Sequence, residues 1–599
     1  MKAVWQLLRD VLAILPSTAK RFLIGYSIAL GLLSILDAVA LALLAVVIGP
    51  ILSGSTLVLP LLGAVEGVGL ILLLGVVCLL IIAKGAIAVA LLWGATRRFA
   101  KYELALGSRL FDTYVNSTWV ERLKRNSSDL VRLTDSSVSV TISGFLLPAS
   151  TLLGEMLSFF TVVAVLAVVQ PTIAAVTLIY LSLIGALLFF WVTKRSRQAG
   201  RVNLRYSIKT SRLIFEMVGA LKEITLRNKT AEIAAVVRDN RTNTTRARSN
   251  IQFLAQVPRY VLESGIIGGF VLAGVTGYYT GGGVKGAITA VALFSLAGFR
   301  MAPSIVRFQA IVSQVSASSP HVRAVLSEIQ RSEASTRDRA SRTVAPIAQR
   351  PKVLEFSNVS FRYSAESPEA VSSVSLKIPF GSTASFVGSS GAGKSTIIDL
   401  LLGLIEPTTG TVSIDGRSLV EHTTSWRSRV GYVPQDVSLF DASVAQNVAL
   451  SWTGDVDRDR VRSALANAQL LDAVESRPGG IDAPIGERGL ALSGGQRQRL
   501  GIARALYSQP LVLVMDEATG ALDTKTEADV TEAIRKLRGS VTIVTVAHRL
   551  ATVMHSDTIF FMSGGKVAAR GTFDELVASV PEFAIQARLA GLIDSVKSD

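Results

Sequence analysis

Apolar residues are unevenly spread along this chain of 599 residues. Before about residue 315 they form runs long enough to cross a bilayer as helices, which takes about 20 apolar positions each. Such runs fall near residues 22–50, 68–96, 140–170, 171–193, 260–279 and 286–312, and predict six spans. Two polar stretches, near residues 97–139 and 194–259, are too regular for disordered loops and read as helical extensions of the spans. In residues 213–224, LIFEMVGALKEI, the apolar spacing fits a helix that touches a partner domain on one side. The N-terminal stretch MKAVWQLLRDVLAILPSTAKRF sets apolar residues at helical spacing with Lys2, Arg9, Lys20 and Arg21 around them. It predicts an amphipathic helix lying on the inner membrane surface, and it lacks the small-residue cleavage site of a signal peptide.

From Val353 the pattern changes to short β-branched runs alternating with helical ones, as in an α/β domain. Between the two regimes, residues 330–350 are rich in Ser, Thr, Arg and Ala without apolar periodicity, and read as a linker. The predicted organisation is a helical membrane domain over 1–329, a linker over 330–350 and an α/β domain over 351–599.

Charge orients the spans. Lys20 and Arg21 precede the first run, Arg97, Arg98 and Lys101 follow the second, and Lys194, Arg195 and Arg197 follow the fourth. The connections after the first, third and fifth runs hold Lys285 alone, so both termini are expected on the cytoplasmic side. Net charge is 61 − 45 = +16. With the basic residues beside apolar runs, anchoring at a membrane explains the excess and no nucleic-acid partner is expected. Asn116 and Asn126, in Asn-x-Ser/Thr triplets, then lie inside the cell and are discounted as glycosylation sites. The single cysteine, Cys78, excludes an intrachain disulfide or Cys metal cluster and reads as packing filler.

Candidate chemistry sits in the second half. ASFVGSSGAGKSTIIDLLLG reads as a strand, a Gly-rich turn and a helix, and residues 388–395 fit G-x-x-x-x-G-K-S in that context. Glycines let backbone N–H groups approach a triphosphate, and a helix N-terminus adds its positive dipole end. Gly388, Ser389, Ser390, Gly391, Ala392, Gly393 and Thr396 would form this cradle; Lys394 would contact the β- and γ-phosphates and Ser395 would ligate Mg²⁺. Further on, LVLVMDEA is an apolar strand ending in Asp516 and Glu517. Asp516 suits Mg²⁺ through water, and Glu517 suits polarising an attacking water.

LSGGQRQR, residues 492–499, distinguishes this chain from other phosphate-loop ATPases, and with it the chain resembles an ATP-binding-cassette exporter half-transporter. The resemblance implies that Ser493, Gly494, Gly495 and Gln496 meet ATP held by the opposite subunit, so that two cassettes close on two nucleotides. It further implies that Tyr363 in VSFRYS stacks on adenine. Gln435 in YVPQD would be the switch residue at Mg²⁺, His548 in VAHRL would contact the γ-phosphate, and Asp523 in GALD would lie in the loop between paired cassettes. The family usually has Ser where Gly520 stands, and GERG at residues 486–489 resembles the exporter segment that communicates with coupling helices. A six-span α-helical domain of exporter type followed by an α/β phosphate-loop cassette is the implied fold. The implied partner is a second copy, or a related half-transporter, in the inner membrane.

Four short stretches, RNSSDLVR (125–132), ALKEI (220–224), VPRYVLE (257–263) and FRMAPSI (299–305), resemble the lipid-linked oligosaccharide flippase of bacterial N-glycosylation. They imply an anionic lipid-linked saccharide as cargo. A broad drug or lipid exporter, whose cavity should be mainly apolar and aromatic, is the alternative. An importer or ATP-gated channel on the same fold is a further reading, and the six spans exclude a soluble DNA-repair ATPase.

Arginine at the centre of a membrane helix costs roughly 3 kcal/mol, so Arg300 inside the sixth run asks for a reason. Counted from the outer side at 1.5 Å per residue, Arg300 falls about 21 Å and Lys84 about 24 Å down a core of about 30 Å. Arg259 opens the fifth run at the inner side, one turn from Glu263, which would be its local partner. Asp37 and Glu155 come out nearer the outer side as poor partners. Lys84, Arg300 and Arg259 are therefore expected to face a cavity and attract a phosphate headgroup.

Overall fold

The computed structural model describes residues 2–53, 57–59, 63–65, 68–169, 171–340, 346–453, 455–518, 524–547 and 549–593. Contacts divide the chain into two compact units. One comprises Met1–Ser117 and Arg122–Arg337; the other comprises Thr118–Glu121 and Asp338–Asp599.

The first unit is helical. Its first elements are α1 (Lys2–Ile14), α2 (Ser17–Ser53), the antiparallel pair β1 (Leu57–Leu59) and β2 (Gly63–Val65), and α3 (Val68–Val115). After the short α4 (Trp119–Leu123) and α5 (Ser127–Arg132) come α6 (Leu147–Val169) and α7 (Pro171–Gly219). The short α8 (Leu221–Leu226) leads to α9 (Thr230–Gly277) and α10 (Gly283–Ala340). Helices α3, α7 and α9 each combine an apolar run with its polar extension; α3 and α7 have no proline past their first residue, and α9 stays continuous through Pro258 although that residue donates no ladder hydrogen bond. The third run is entered through two π-helical segments, Leu133–Ser137 and Val140–Leu146, which periodicity did not foretell.

Five helices among the described residues are long and apolar enough to cross a membrane, where six were expected. The sixth run falls within the continuous α10, whose described apolar stretch, Gly283–Ala292, is shorter than a span. In α3 the apolar window is only 6% buried, with Ile71, Leu72, Leu79 and Ile82 exposed. Such a surface suits lipid and not water. Cys78 is exposed on this same helix, so it is not packing filler.

A core forms where α1, α2, α3, the π segments and α10 converge. Leu7, Leu8 and Val11 of α1 are buried together with Leu23, Phe99, Phe145 and Val322. Part of the apolar stripe of α1 therefore packs on protein, while Trp5 of the same helix stays exposed. Helices α7 and α10 cross in close contact at Gly200, where a Cβ would come within 2.1 Å of the Ala317 carbonyl oxygen. Helix α10 continues to Ala340, through the first half of the stretch read as a linker.

The second unit is layered. An antiparallel sheet of β3 (Val353–Phe361), β4 (Val371–Pro379), β6 (Thr409–Ile414) and β7 (Arg417–Ser418) has the order β4-β3-β6-β7. The central sheet contains β5 (Thr383–Gly388), β8 (Val430–Val433), β9 (Val512–Asp516), β10 (Thr542–Val546), β11 (Thr558–Ser563) and β12 (Lys566–Gly571). Its order is β12-β11-β5-β10-β9-β8, parallel except for β11–β12. Strand β10 is buried at every position, the continuous apolar pattern of a parallel strand covered on both faces. Trp119 and Val120, from the short segment assigned to this unit, pack against the core beneath the antiparallel sheet.

Candidate functional site

Strand β5 ends in Gly388, and residues 389–393 turn the chain into helix α11 (Lys394–Leu401). Two glycines are required by close approach. A Cβ on Gly388 would lie 2.2 Å from the Met562 carbonyl oxygen; on Gly393, where φ is +97°, it would lie 2.6 Å from that of Ala370. The loop is thus pressed against its surroundings on one side, while Ser389, Ser390 and Gly391 form the open side, and no neighbour within 4 Å meets a Cβ built on Gly391. Ala392 is buried and anchors the turn in the core.

Lys394 is buried, and its Nζ donates to the carbonyl oxygens of Gly388 at 2.7 Å and Ser389 at 2.9 Å. Burial lowers its pKa; the nearby Glu517 and Asp516 carboxylates push it back up. Ser395 is exposed at the first turn of α11, whereas Thr396 is buried and bonds the Tyr363 hydroxyl at 3.2 Å. Tyr363 is half-buried, edge-on to Phe361 with ring centroids 5.0 Å apart.

Strand β9 delivers Asp516 and Glu517 beside this loop, at the carboxyl ends of parallel strands where such folds place ligands. Glu517 has left-handed backbone (φ +50°), unusual for a residue with a side chain, held by its N–H donating to the Val546 carbonyl oxygen at 3.0 Å. Its Oε2 accepts from Gln435 Nε2 at 2.8 Å. The Tyr432 hydroxyl donates to Asp516 Oδ2 at 3.4 Å, and burial with the neighbouring carboxylates drives the Tyr432 pKa up. Asp399, one helical turn after Ser395, is pushed up to about 6 by burial and then by Asp516. Motif reading overlooked Asp399 and Tyr432; the i,i+4 spacing of Asp399 from Ser395 on α11 was the available signal.

Ser493 caps the helix Gly494–Tyr507. Its Oγ accepts from Gln496 N at 3.2 Å and its own N–H donates to Gln496 Oε1 at 2.9 Å, a reciprocal capping box. Gly494 and Gly495 form the first turn, with the backbone N–H groups of a helix N-terminus. Gln498 of the same helix donates to the Pro434 carbonyl oxygen at 3.4 Å, next to Gln435. His548, Gly520 and Asp523 lie outside the described residues. The structure therefore gathers the Gly-rich loop, Lys394, Tyr363, Gln435, Asp516 and Glu517, while Ser493 and Gln496 bond each other. Backbone donors and a lysine suit a triphosphate, and the exposed Ser395 hydroxyl with the Asp516 carboxylate suits a hard divalent cation.

The membrane-domain cations separate. Arg259 pairs with Glu263 at 2.8 Å, one helical turn away and with both side chains exposed. Lys84 is half-buried and has an interaction of its own, contrary to the expectation that it lacked a partner. The side chains of Arg300 and Asp37 lie outside the described residues. Glu155, expected to be a poor partner for Lys84, Arg259 and Arg300, accepts from a different cation, Arg307 Nε, at 2.8 Å. Arg307 lies seven residues after Arg300, two helical turns along the same run, and that spacing was the available signal for it. Glu155 also lines a cavity of about 360 Å³ with Phe159, Phe160, Phe189, Phe190 and Phe308.

Comparison with known proteins agrees with this geometry. Residues 371–520 match the ABC transporter family. The chain is similar to the ATP-dependent lipid A-core flippase of Polaromonas sp. (strain JS666), 45% identical over 226 residues, which is 38% of either chain. It is 41% identical over 226 residues to the protein of the same name from Salmonella typhimurium, 38% of this chain and 39% of that one. The match thus spans under two-fifths of the length of these curated relatives. Among solved structures, a bacterial Atm1-family ABC exporter with ATP bound superposes with a TM-score of 0.77 at 21% identity, over 98% of this chain and 100% of the other. The chain that carries the ABC transporter match over residues 371–520 has the fold of an ABC exporter.

Proposed function

We propose that this chain is one half of an ATP-driven flippase that moves an anionic lipid-linked saccharide from the inner to the outer leaflet. The observation that carries the reading is the cluster of Lys394, Asp516, Glu517 and Gln435 around the pressed Gly-rich loop. In this reading Lys394 exchanges its two carbonyl partners for phosphate oxygens, and the loop N–H groups hold the triphosphate. Ser395, Asp516 and Gln435 would hold Mg²⁺, which supplies neutralisation of phosphate charge. Glu517, kept in place by its strained backbone and by Gln435, orients the attacking water and accepts its proton. Tyr363 flanks the base and His548 the γ-phosphate.

Ser493, which caps the helix Gly494–Tyr507, acts in this reading toward ATP held by a second copy, as the LSGGQRQR stretch implies. Phe215, Val218, Leu221 and Leu226, around α8, are exposed apolar residues that suit contact with that partner. Relatives named as lipid A-core flippases support a lipid cargo; in this reading the protein sits in the inner membrane with its cassette and both termini on the cytoplasmic side.

The experiment is flipping of a fluorescent anionic glycolipid by the protein in proteoliposomes. Wild type should translocate it with ATP; Glu517→Gln should bind ATP yet hydrolyse it at least about a hundredfold more slowly and not flip. Lys84→Ala and Arg300→Ala should slow the anionic glycolipid more than a neutral amphiphile. Equal effects on both would favour the second reading, a broad exporter, which the phenylalanine-lined cavity beside Glu155 supports.

A further inference from the structure

Past its apolar run, α7 lies beside α9, and a cavity of about 340 Å³ opens between them. Trp191 and Arg195 line it from α7; Asn243, Arg246, Asn250 and Phe253 line it from α9. The height is set by α7 itself. The apolar run ends at Trp191–Val192 and the basic residues begin at Lys194, the sequence of an aromatic belt followed by inner-side cations. The Arg195 guanidinium lies 5.7 Å from the Trp191 ring centroid, and neither Arg195 nor Arg246 forms an ion pair among the described residues. No carboxylate compensates them from either wall: α7 has no Asp or Glu before Glu216, and α9 has none between Asp239 and Glu263.

Two guanidinium groups outside any ion pair and three amides, Gln198 of α7 with Asn243 and Asn250, line a space large enough for a phosphodiester and too small for a whole lipid. Guanidinium is the side chain best matched to phosphate oxygens. Exposed Trp191 and Phe253 at the rim offer apolar surface that a soluble anion has no use for, whereas an acyl chain does. We propose that this cavity binds the phosphate headgroup of an anionic inner-leaflet lipid, with its acyl chains running up past Trp191. The proposal rests on the membrane placement of α7 and not on nucleotide hydrolysis or on the identity of the transported cargo.

The test counts lipids retained by the full-length protein in native mass spectrometry, after exposure to phosphatidylglycerol or phosphatidylcholine in detergent. Wild type should retain phosphatidylglycerol at least about tenfold better, the scale of two surface cations. Arg195→Gln with Arg246→Gln should bring the preference to near equality. Asn243→Leu with Asn250→Leu, which keeps the charge, should weaken it too, and Lys209→Gln, on the same helix outside the cavity, should not. No preference in wild type, a preference surviving the double arginine change, or an equal loss in Lys209→Gln would overturn the site. Displacement of the lipid by millimolar inorganic phosphate would make it a free-anion site and overturn the lipid assignment. Because the readout is retention, its failure leaves the transporter reading standing, and failure of flipping leaves the site standing.

Discussion

Lys394 and His321 show what burial does to a cation in this chain. Lys394 is kept charged by Asp516 and Glu517 against the cost of its burial, and its two carbonyl acceptors hold it in place until phosphate arrives. Lys394→Ala should weaken ATP binding at least about tenfold, read by displacement of a fluorescent nucleotide, since the contact exists in the ground state as well. Unchanged affinity would contradict the loop assignment. His321, buried on the α10 extension and 3.3 Å from Ser137 Oγ, is shifted in the same direction but has cations as its charged neighbours. Burial, then Arg132 and Arg248, lowers its pKa from 6.5 to about 4. A lowered histidine favours the neutral ring, so its stabilisation is complete above pH 6.5 and is lost as pH falls toward 4. His321→Gln should flatten the decline of thermal stability in that window, by up to about 3 kcal/mol. An equally steep decline in the variant would assign the acid sensitivity elsewhere.

At the scale of elements, the strand–turn–helix around Gly388 was legible because its glycines are demanded by geometry. Gly393→Ala would force a Cβ toward the Ala370 carbonyl and strain a left-handed backbone. It should cost about 1–3 kcal/mol of cassette stability, measured as a lowered melting temperature. Normal stability would mean that the loop relaxes freely. The long helices were legible too, since apolar runs and their polar continuations share one period. What escaped was local. The π segments before α6 and the extension of α10 to Ala340 have no periodic signature, because each depends on what the helix packs against. The α1 stripe was legible as amphipathic, but bilayer and protein core select the same residue pattern.

For the whole molecule, the decisive question is whether two chains share their sites. Ser493 caps its own helix, and the LSGGQRQR stretch that holds it implies a partner's nucleotide. Mixing a Lys394→Ala chain with a Ser493→Ala chain should yield dimers carrying one doubly damaged site and one intact site. ATPase activity should then recover to a fraction of wild type while either variant alone stays inactive. No recovery at all in verified mixed dimers would rule out independent composite sites.

Sequence by itself determined the division into an apolar helical part and an α/β part and the strand–turn–helix around Gly388. It could do so because hydrophobic length and glycine spacing are local properties, readable without knowing neighbours. Only the tertiary structure decided which charges meet. It paired Arg259 with Glu263 and Glu155 with Arg307, brought Asp399 and Tyr432 to Asp516, and joined Gln435 to Glu517 across 82 positions of chain. Depth along a helix could be counted from the sequence, but the rotation of one helix against another could not. That rotation is set by the packing of side chains distant in sequence, and it determines which oxygen each cation finds.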